Sequence, residues 1–356
     1  MASTFPPALY VDSNGEFSIR RDIPTPEPGS GEVLVKPLFS GVNPADAKHS
    51  RHLGIKDTVL GYDFCGQVVR APAKSPLEPG DVVAGYTPTG IGRPWRYGTH
   101  QACLSCPEHL LFRVPNNLPN HHAACLTVVA ATAADVAFNI FGLPLPGHGN
   151  TGQASRCGPI LIWGGSTSVG TCLIQFARAS GAHPIFVAAS TSRHKILKDL
   201  GATRCFDYRS PDVVSEIQAA VGMAGRGPIT CAVDCAGTET SPSSAEMLLE
   251  CAGEATNLAS VIVRKDGRFQ MPLATADAPA TIQPKGVPAP ITIPPRPECW
   301  ENMHKALLWA IDEYSTEFCL PPVEVFAGTA EEALGQVIQV AAAGRFGKLA
   351  LKHPLA

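Results

Sequence analysis

Trp163-Gly164-Gly165-Ser166-Thr167-Ser168-Val169-Gly170 decides the fold through what stands on either side of it. Before it, Ile160-Leu161-Ile162-Trp163 is a continuous apolar run of strand length; after it, Val169, Cys172, Leu173, Phe176 and Ala177 recur at helical spacing until Gly181. The glycines therefore occupy a strand-to-helix turn, where a missing Cβ lets the backbone bend tightly and lets the helix start close to the sheet. The first N–H groups of that helix, at its positive dipole end, are suited to a pyrophosphate. Thr167 breaks the usual G-x-G-x-x-G at its middle position. The bland alternative is an ordinary Gly/Ser turn. A phosphate-loop NTPase fits worse, because Thr171 stands where that loop needs Lys.

Downstream, Ile185-Phe186-Val187 reads as the next strand, HKILKDL as a helix stopped by Gly201, and RCFDY, TCAVDCAG and NLASVIV as three further strands. Strands alternating with helices predict a parallel, doubly wound sheet. Upstream, from about Glu32 to Val114, the texture is different: EVLVKPLF, GQVVRA, GDVVAGY, GTHQACL and HLLFRV are short β-type runs, with GVNPADAKH and VLGYDFCG as loops between them. These predict a compact, mostly β unit whose loops are the places for chemistry. The linker PLPGHGNTGQASRCG leads from one texture to the other. The tail offers a helix with Met303, Ala306, Leu307, Ala310, Ile311 and Tyr314 on one face, then the strand PVEVF. A capping box at Thr329-Ala330-Glu331-Glu332 and a closing KLALK follow.

The end of the second strand speaks to the cofactor. An NAD enzyme places Asp or Glu there for the ribose 2′-hydroxyl; here the residues are Ala189-Ser190-Thr191-Ser192-Arg193-His194-Lys195, with no acid before Asp199. Hydroxyls and cations are what a 2′-phosphate needs, so NADPH is expected over NADH.

A formal charge of −3 without clustered Lys and Arg argues against nucleic acid as a partner. MASTFPPALYVDSNG has neither the basic flank nor the apolar run of a signal peptide, and no uninterrupted apolar stretch reads as a membrane span, so a cytoplasmic location is expected. Cysteines inside apolar runs (Cys172, Cys231, Cys235) read as reduced. The C-x-x-C pair Cys103 and Cys106 lacks a second ligand pair at zinc-site spacing, and no metal is expected there.

GVNPADAKH, LGYDFCG, PGDVVAGY, PILIWGGSTSVG, LKDLGATRCFDY and GRFGKLAL together give the whole chain a resemblance to the medium-chain dehydrogenase/reductases. Within the zinc-independent, quinone-reductase-like branch it looks most like the fungal trans-acting enoyl reductases that serve polyketide synthases. The resemblance implies an α/β fold, with a GroES-like mostly-β catalytic domain at 1–130 and 301–356 around a Rossmann domain at 131–300. Zinc-dependent members carry Cys in the loop aligned with GVNPADAKH and His-Glu at Tyr62-Asp63; this chain has Asn43-Pro44 and Tyr62-Asp63.

By the same resemblance, Pro44, Asp46 and Lys48 face the nicotinamide end. Gly165, Ser166, Thr167, Ser168, Val169 and Gly170 hold the pyrophosphate, and Ser190 and Arg193, with Ser192 beside them, take the 2′-phosphate. Tyr208 packs near the adenosine, Leu258 and Ala259 border the nicotinamide ribose, and Phe346, Gly347 and Lys348 close over the cofactor. Thr132, Ala133, Asp135 and Val136 line an acyl pocket. Lys48 is the catalytic candidate, its ammonium orienting substrate or stabilising an enolate; the alternative is a surface lysine paired with Asp46. The implied activity is NADPH-dependent reduction of an α,β-unsaturated acyl thioester, free or tethered to a carrier protein of a synthase partner. Rival readings are a quinone, free enone or imine reductase, and a non-catalytic, cofactor-binding partner of a biosynthetic complex. The proline-rich DAPATIQPKGVPAPITIPPRP stands where dimeric relatives carry a pairing strand, and it predicts a monomer.

Overall fold

Local apolar periodicity becomes two units in the computed structural model, which describes residues 5–147 and 158–356. One unit is Met1–Val128, Asp277–Arg296 and Pro322–Ala356; the other is Val129–Ala276 and Pro297–Pro321. The expected boundaries lay at 130/131 and 300/301. Most of the 144–158 linker lies outside the described residues.

The second unit holds a six-stranded parallel sheet in the order Arg204–Asp207, Ile185–Ala189, Ile160–Trp163, Cys231–Asp234, Asn257–Ser260, Phe269–Gln270. Parallel strands are covered on both faces, which is why Ile160–Trp163 and Ile185–Ala189 are apolar and buried throughout. The helices Ser168–Ala179, His194–Leu200, Val213–Ala224 and Ser244–Cys251 make the crossovers. The strand order reverses at Ile160–Trp163, so the turn after this strand stands at the topological switch point where such sheets bind ligands.

The first unit is built on a sheet ordered Val323–Phe326, Lys348–Lys352, Glu32–Val42, Asp63–Arg70, Val82–Tyr86, Leu111–Arg113, with Leu104–Pro107 also paired to Glu32–Val42. Its core gathers Leu9, Val42, Ala47, Leu60, Ala333, Val337, Leu349 and Leu351. The Thr329 capping box forms as expected, its hydroxyl accepting from Glu332 N and Glu332 accepting from Thr329 N, ahead of the helix Ala330–Ala343.

Four expectations need correction. VLGYDFCG is not a loop throughout, because its last four residues open the strand Asp63–Arg70. GVNPADAKH is not a loop: Pro44–His52 is an α-helix, with proline in its first turn and the Asp46 carboxylate reaching back to Asn43 N at 2.8 Å. GTHQACL is largely irregular, and the strand it announced begins only at Leu104. The prolines at 277–297 bracket strands rather than prevent them. Ala280–Ile282 and Ile291–Ile293 pair antiparallel, with every proline outside the ladder, so the proline argument for a monomer does not hold for this segment. The absence of a membrane span is a different matter: the helical segment Asn120–Ile140 is long and apolar enough to cross one by length and composition alone. Of its most apolar window 78% is buried, as in a core helix.

Candidate active site

The nucleotide turn is built by three glycines. Gly164 has φ +84, and a Cβ there would meet Ala236 N at 2.7 Å. A Cβ at Gly165 would strike Val187 Cγ1 at 2.1 Å, and one at Gly170 would meet Gly164 O at 2.5 Å, so helix, turn and sheet approach one another as only glycine allows. Thr167, the residue that spoiled the motif, is the N-cap: its hydroxyl accepts from Gly170 N at 3.1 Å. Ser166, Thr167, Ser168 and Val169 are half-buried around the helix N-terminus. Close-packed glycines, hydroxyls and a twelve-residue helix aimed at one spot fit the pyrophosphate of a dinucleotide.

At the end of the second strand, Ser190 and Arg193 are half-buried and Thr191 and Ser192 exposed. His194 Nε2 stays near Ala189 O at 3.0 Å, and Lys195 pairs with Asp199. Tyr208 is exposed beneath the Arg209 guanidinium, 4.8 Å from its ring centroid. Sequence reasoning missed an acid here. Asp207, at the end of the adjacent strand, accepts from Thr191 Oγ1 at 2.8 Å, and this bond holds its carboxyl below the usual range. The reading stopped at the second strand, whereas parallel pairing sets Asp207 opposite Ala189.

Other expected positions are less open. The side chains of Leu258 and Ala259 are buried in the sheet. Ala133, Asp135 and Val136 are wholly buried, and Asp135 accepts from Leu273 N and Asn139 Nδ2, both at 2.8 Å, so its carboxylate serves the fold; Thr132 is half-buried. Also missed was the ion pair of buried Asp234 with half-buried Arg264. Asp234 accepts from Ala236 N, Gly237 N and Ser260 Oγ as well, at 3.0–3.2 Å, and so shapes the turn after the fourth strand. No local spacing in the sequence signals this pair.

In the first unit, Pro44 and Lys48 are exposed on the Pro44–His52 helix, whereas Asp46 is buried. Asp46 Oδ2 accepts from Asn43 N and lies 3.3 Å from His100 Nε2; His100 in turn shares Ser40 Oγ with His353. No ion pair joins Asp46 to Lys48 among the described residues. Burial drives the His353 imidazole down to about 3, and His49, 2.9 Å from the Tyr62 hydroxyl, down to about 4, so both are neutral at pH 7.

Beside them lies a second buried network. Lys348 Nζ donates to Asn43 Oδ1 at 2.6 Å and Val42 O at 3.1 Å, and Asn43 Nδ2 donates to Asp63 Oδ2 at 2.9 Å. Thr127 Oγ1 and Val128 N donate to Asp63 Oδ1 at 2.6 and 2.8 Å. Burial raises the Asp63 carboxyl, while the Lys348 charge opposes the rise. The expected closing of 346–348 over a cofactor thus meets a Lys348 whose ammonium is spent internally; Gly347 is buried and Phe346 half-buried.

The donors do not suit zinc. Asn43 and Asp63 are engaged in this network, Tyr62 is a phenol whose ionisation burial opposes, and no group of three His, Cys, Asp or Glu able to hold a metal occurs among the described residues. Cys106 is buried with its thiol toward Tyr86 O, and burial pushes both Cys103 and Cys106 up, away from the thiolate a metal takes.

Comparison with known proteins agrees with both units. Residues 29–116 match the family described as alcohol dehydrogenase GroES-like domain, and residues 168–276 match the one described as zinc-binding dehydrogenase. The Saccharomyces cerevisiae protein "Uncharacterized protein YCR102C" is 32% identical over 290 residues, covering 73% of this chain and 75% of its own length. The trans-enoyl reductase traG of Penicillium crustosum is 29% identical over 234 residues, 64% of this chain and 62% of its own. An alcohol dehydrogenase superfamily protein from Novosphingobium aromaticivorans shares the fold, with TM-score 0.73, 23% identity and coverage of 99% and 100%. The chain belongs to the medium-chain dehydrogenase/reductase superfamily. It is an oxidoreductase fold with a nicotinamide-nucleotide domain.

Proposed function

We propose that this chain is an NADPH-dependent, zinc-independent enoyl reductase that saturates the C=C bond of an α,β-unsaturated acyl thioester, presented free or on a carrier domain of a synthase. The observation that carries the reading is the glycine turn at Gly164–Gly170, capped by Thr167 and followed one strand later by Ser190, Ser192 and Arg193 in place of an acid. The name of the Penicillium relative supports the reaction class, and the poor donor set at Asn43, Tyr62 and Asp63 supports chemistry without a Lewis acid.

NADPH, when bound, supplies a hydride for the electrophilic β-carbon. The chain's own part is to hold and polarise. Ser166 to Val169 and the N-terminus of the Ser168–Ala179 helix would bind the pyrophosphate, while Ser190 and Arg193 would bind the 2′-phosphate. Lys48, exposed on a helix pinned by buried networks, would offer an ammonium to the thioester oxygen as negative charge gathers there.

Asp207 makes the 2′-phosphate reading testable. Its carboxylate holds Thr191 beside the 2′-phosphate site and repels the phosphate, so Asp207→Asn is expected to tighten NADPH binding several-fold and leave NADH nearly unchanged. Fluorescence titration of both cofactors, on the parent and the variant, checks this. NADH bound more tightly than NADPH by the parent chain would contradict the assignment.

A further inference from the structure

A pocket of about 10 Å³ lies within the first unit, lined by Asp46, His49, Tyr62 and Arg93 and otherwise by mostly apolar side chains such as Val11 and Ile55. That is room for a single water, which needs polar partners to stay. Two are present. Asp46 Oδ1 and Arg93 Nε are buried and have no hydrogen-bond partner in the protein, although both residues line the cavity and are only 4% and 7% exposed.

The other polar atoms of the two groups each have a partner in the protein. Asp46 Oδ2 serves Asn43 N and His100. The Arg93 terminal nitrogens donate to Val59 O, Gly61 O, Thr87 Oγ1 and Tyr97 O at 2.6–3.2 Å, and its guanidinium lies 4.3 Å from the centroid of the Tyr62 ring. Buried polar atoms left without a partner are costly. One carboxylate oxygen can only accept and one guanidinium N–H can only donate, so a molecule that donates to the first and accepts from the second satisfies both. A metal cation would face the Arg93 donor, and a polyatomic anion exceeds the space.

We propose that this cavity binds one internal water bridging Arg93 Nε to Asp46 Oδ1, and that Arg93 thereby acts as a positioning residue for the helix that carries Lys48. The second half rests on the reading of Lys48 given above. The water ties the segment after strand Val82–Tyr86 to the first turn of the Pro44–His52 helix, where a small displacement would shift Lys48.

Two measurements test the two halves. A crystal structure of the full chain at atomic resolution is expected to show one ordered water within hydrogen-bond distance of both atoms; a dry cavity, or a direct bond between Nε and Oδ1, overturns the site. Arg93→Lys keeps the charge and loses Nε. It is expected to lower kcat about tenfold with NADPH affinity unchanged, and to have no further effect in a Lys48→Ala background. Unchanged kcat, or the same loss in both backgrounds, overturns the positioning role. A parent enzyme inactive on every enoyl thioester contradicts the functional reading instead, and leaves the crystallographic test standing.

Discussion

Lys348→Met is expected to destabilise the first unit by about 3–5 kcal/mol, read as a lower midpoint in urea or thermal unfolding. Methionine fills similar space but removes the ammonium, leaving Asn43 Oδ1 and Val42 O without their donor and Asp63 without the charge that opposes its burial. The pH dependence follows from the sign of the Asp63 shift. A carboxyl raised by burial favours the folded state below the unfolded pKa, and that contribution is lost as pH climbs through the folded value. Removing Lys348 lifts the folded value further. The deficit of the variant should therefore be greatest near neutral pH and shrink on acidification. Adding Asp63→Asn should recover part of the loss, because the amide buries no charge. A variant as stable as the parent at pH 7 would show that the Lys348–Asn43–Asp63 network contributes nothing.

Lys48→Ala is expected to reduce kcat for enoyl thioester reduction by about a hundredfold while changing NADPH affinity little. The side chain is exposed and forms no ion pair among the described residues, so its loss should not unfold the chain. A charge that meets the substrate only as the thioester oxygen becomes anionic acts on turnover rather than on ground-state binding. Steady-state kinetics beside cofactor titration separates the two. An unchanged kcat would return Lys48 to the status of a solvated surface residue.

Much of the architecture was legible because it depends on local patterns. Ile160–Trp163, the glycine turn and the helix after it form one strand–turn–helix unit whose periodicity and turn chemistry agree. The Pro44–His52 helix was hidden by its composition: it buries only Asp46, Ala47 and Ser50, so it shows little apolar period, and Asn43-Pro44 reads as readily as a turn. The signals were there, with proline in the first turn and an acid two residues later. The proline-rich 277–297 segment misled for the opposite reason, since counting prolines ignores that a ladder can fit between them.

The site residues that sequence could not supply are those joined across distance. Lys348 meets Asn43, Asp234 meets Arg264, Arg93 and Asp46 line one cavity, and Asp207 reaches Thr191 across parallel strands. None of these pairs has a spacing that a local reading could use. Conversely, the side chains of Asp135, Val136 and Lys348, which a motif reading offers to a ligand, point into the fold. Motif position located the segment without deciding which atoms are exposed.

The most direct measurement is the loss of cofactor absorbance when chelator-treated protein meets a small enoyl thioester, with NADPH and NADH in parallel and the product identified by mass. A zinc-independent enoyl reductase of this kind should consume NADPH, yield the saturated thioester and be indifferent to the chelator. Preference for NADH, turnover abolished by the chelator and restored by zinc, or failure to bind either cofactor would contradict it.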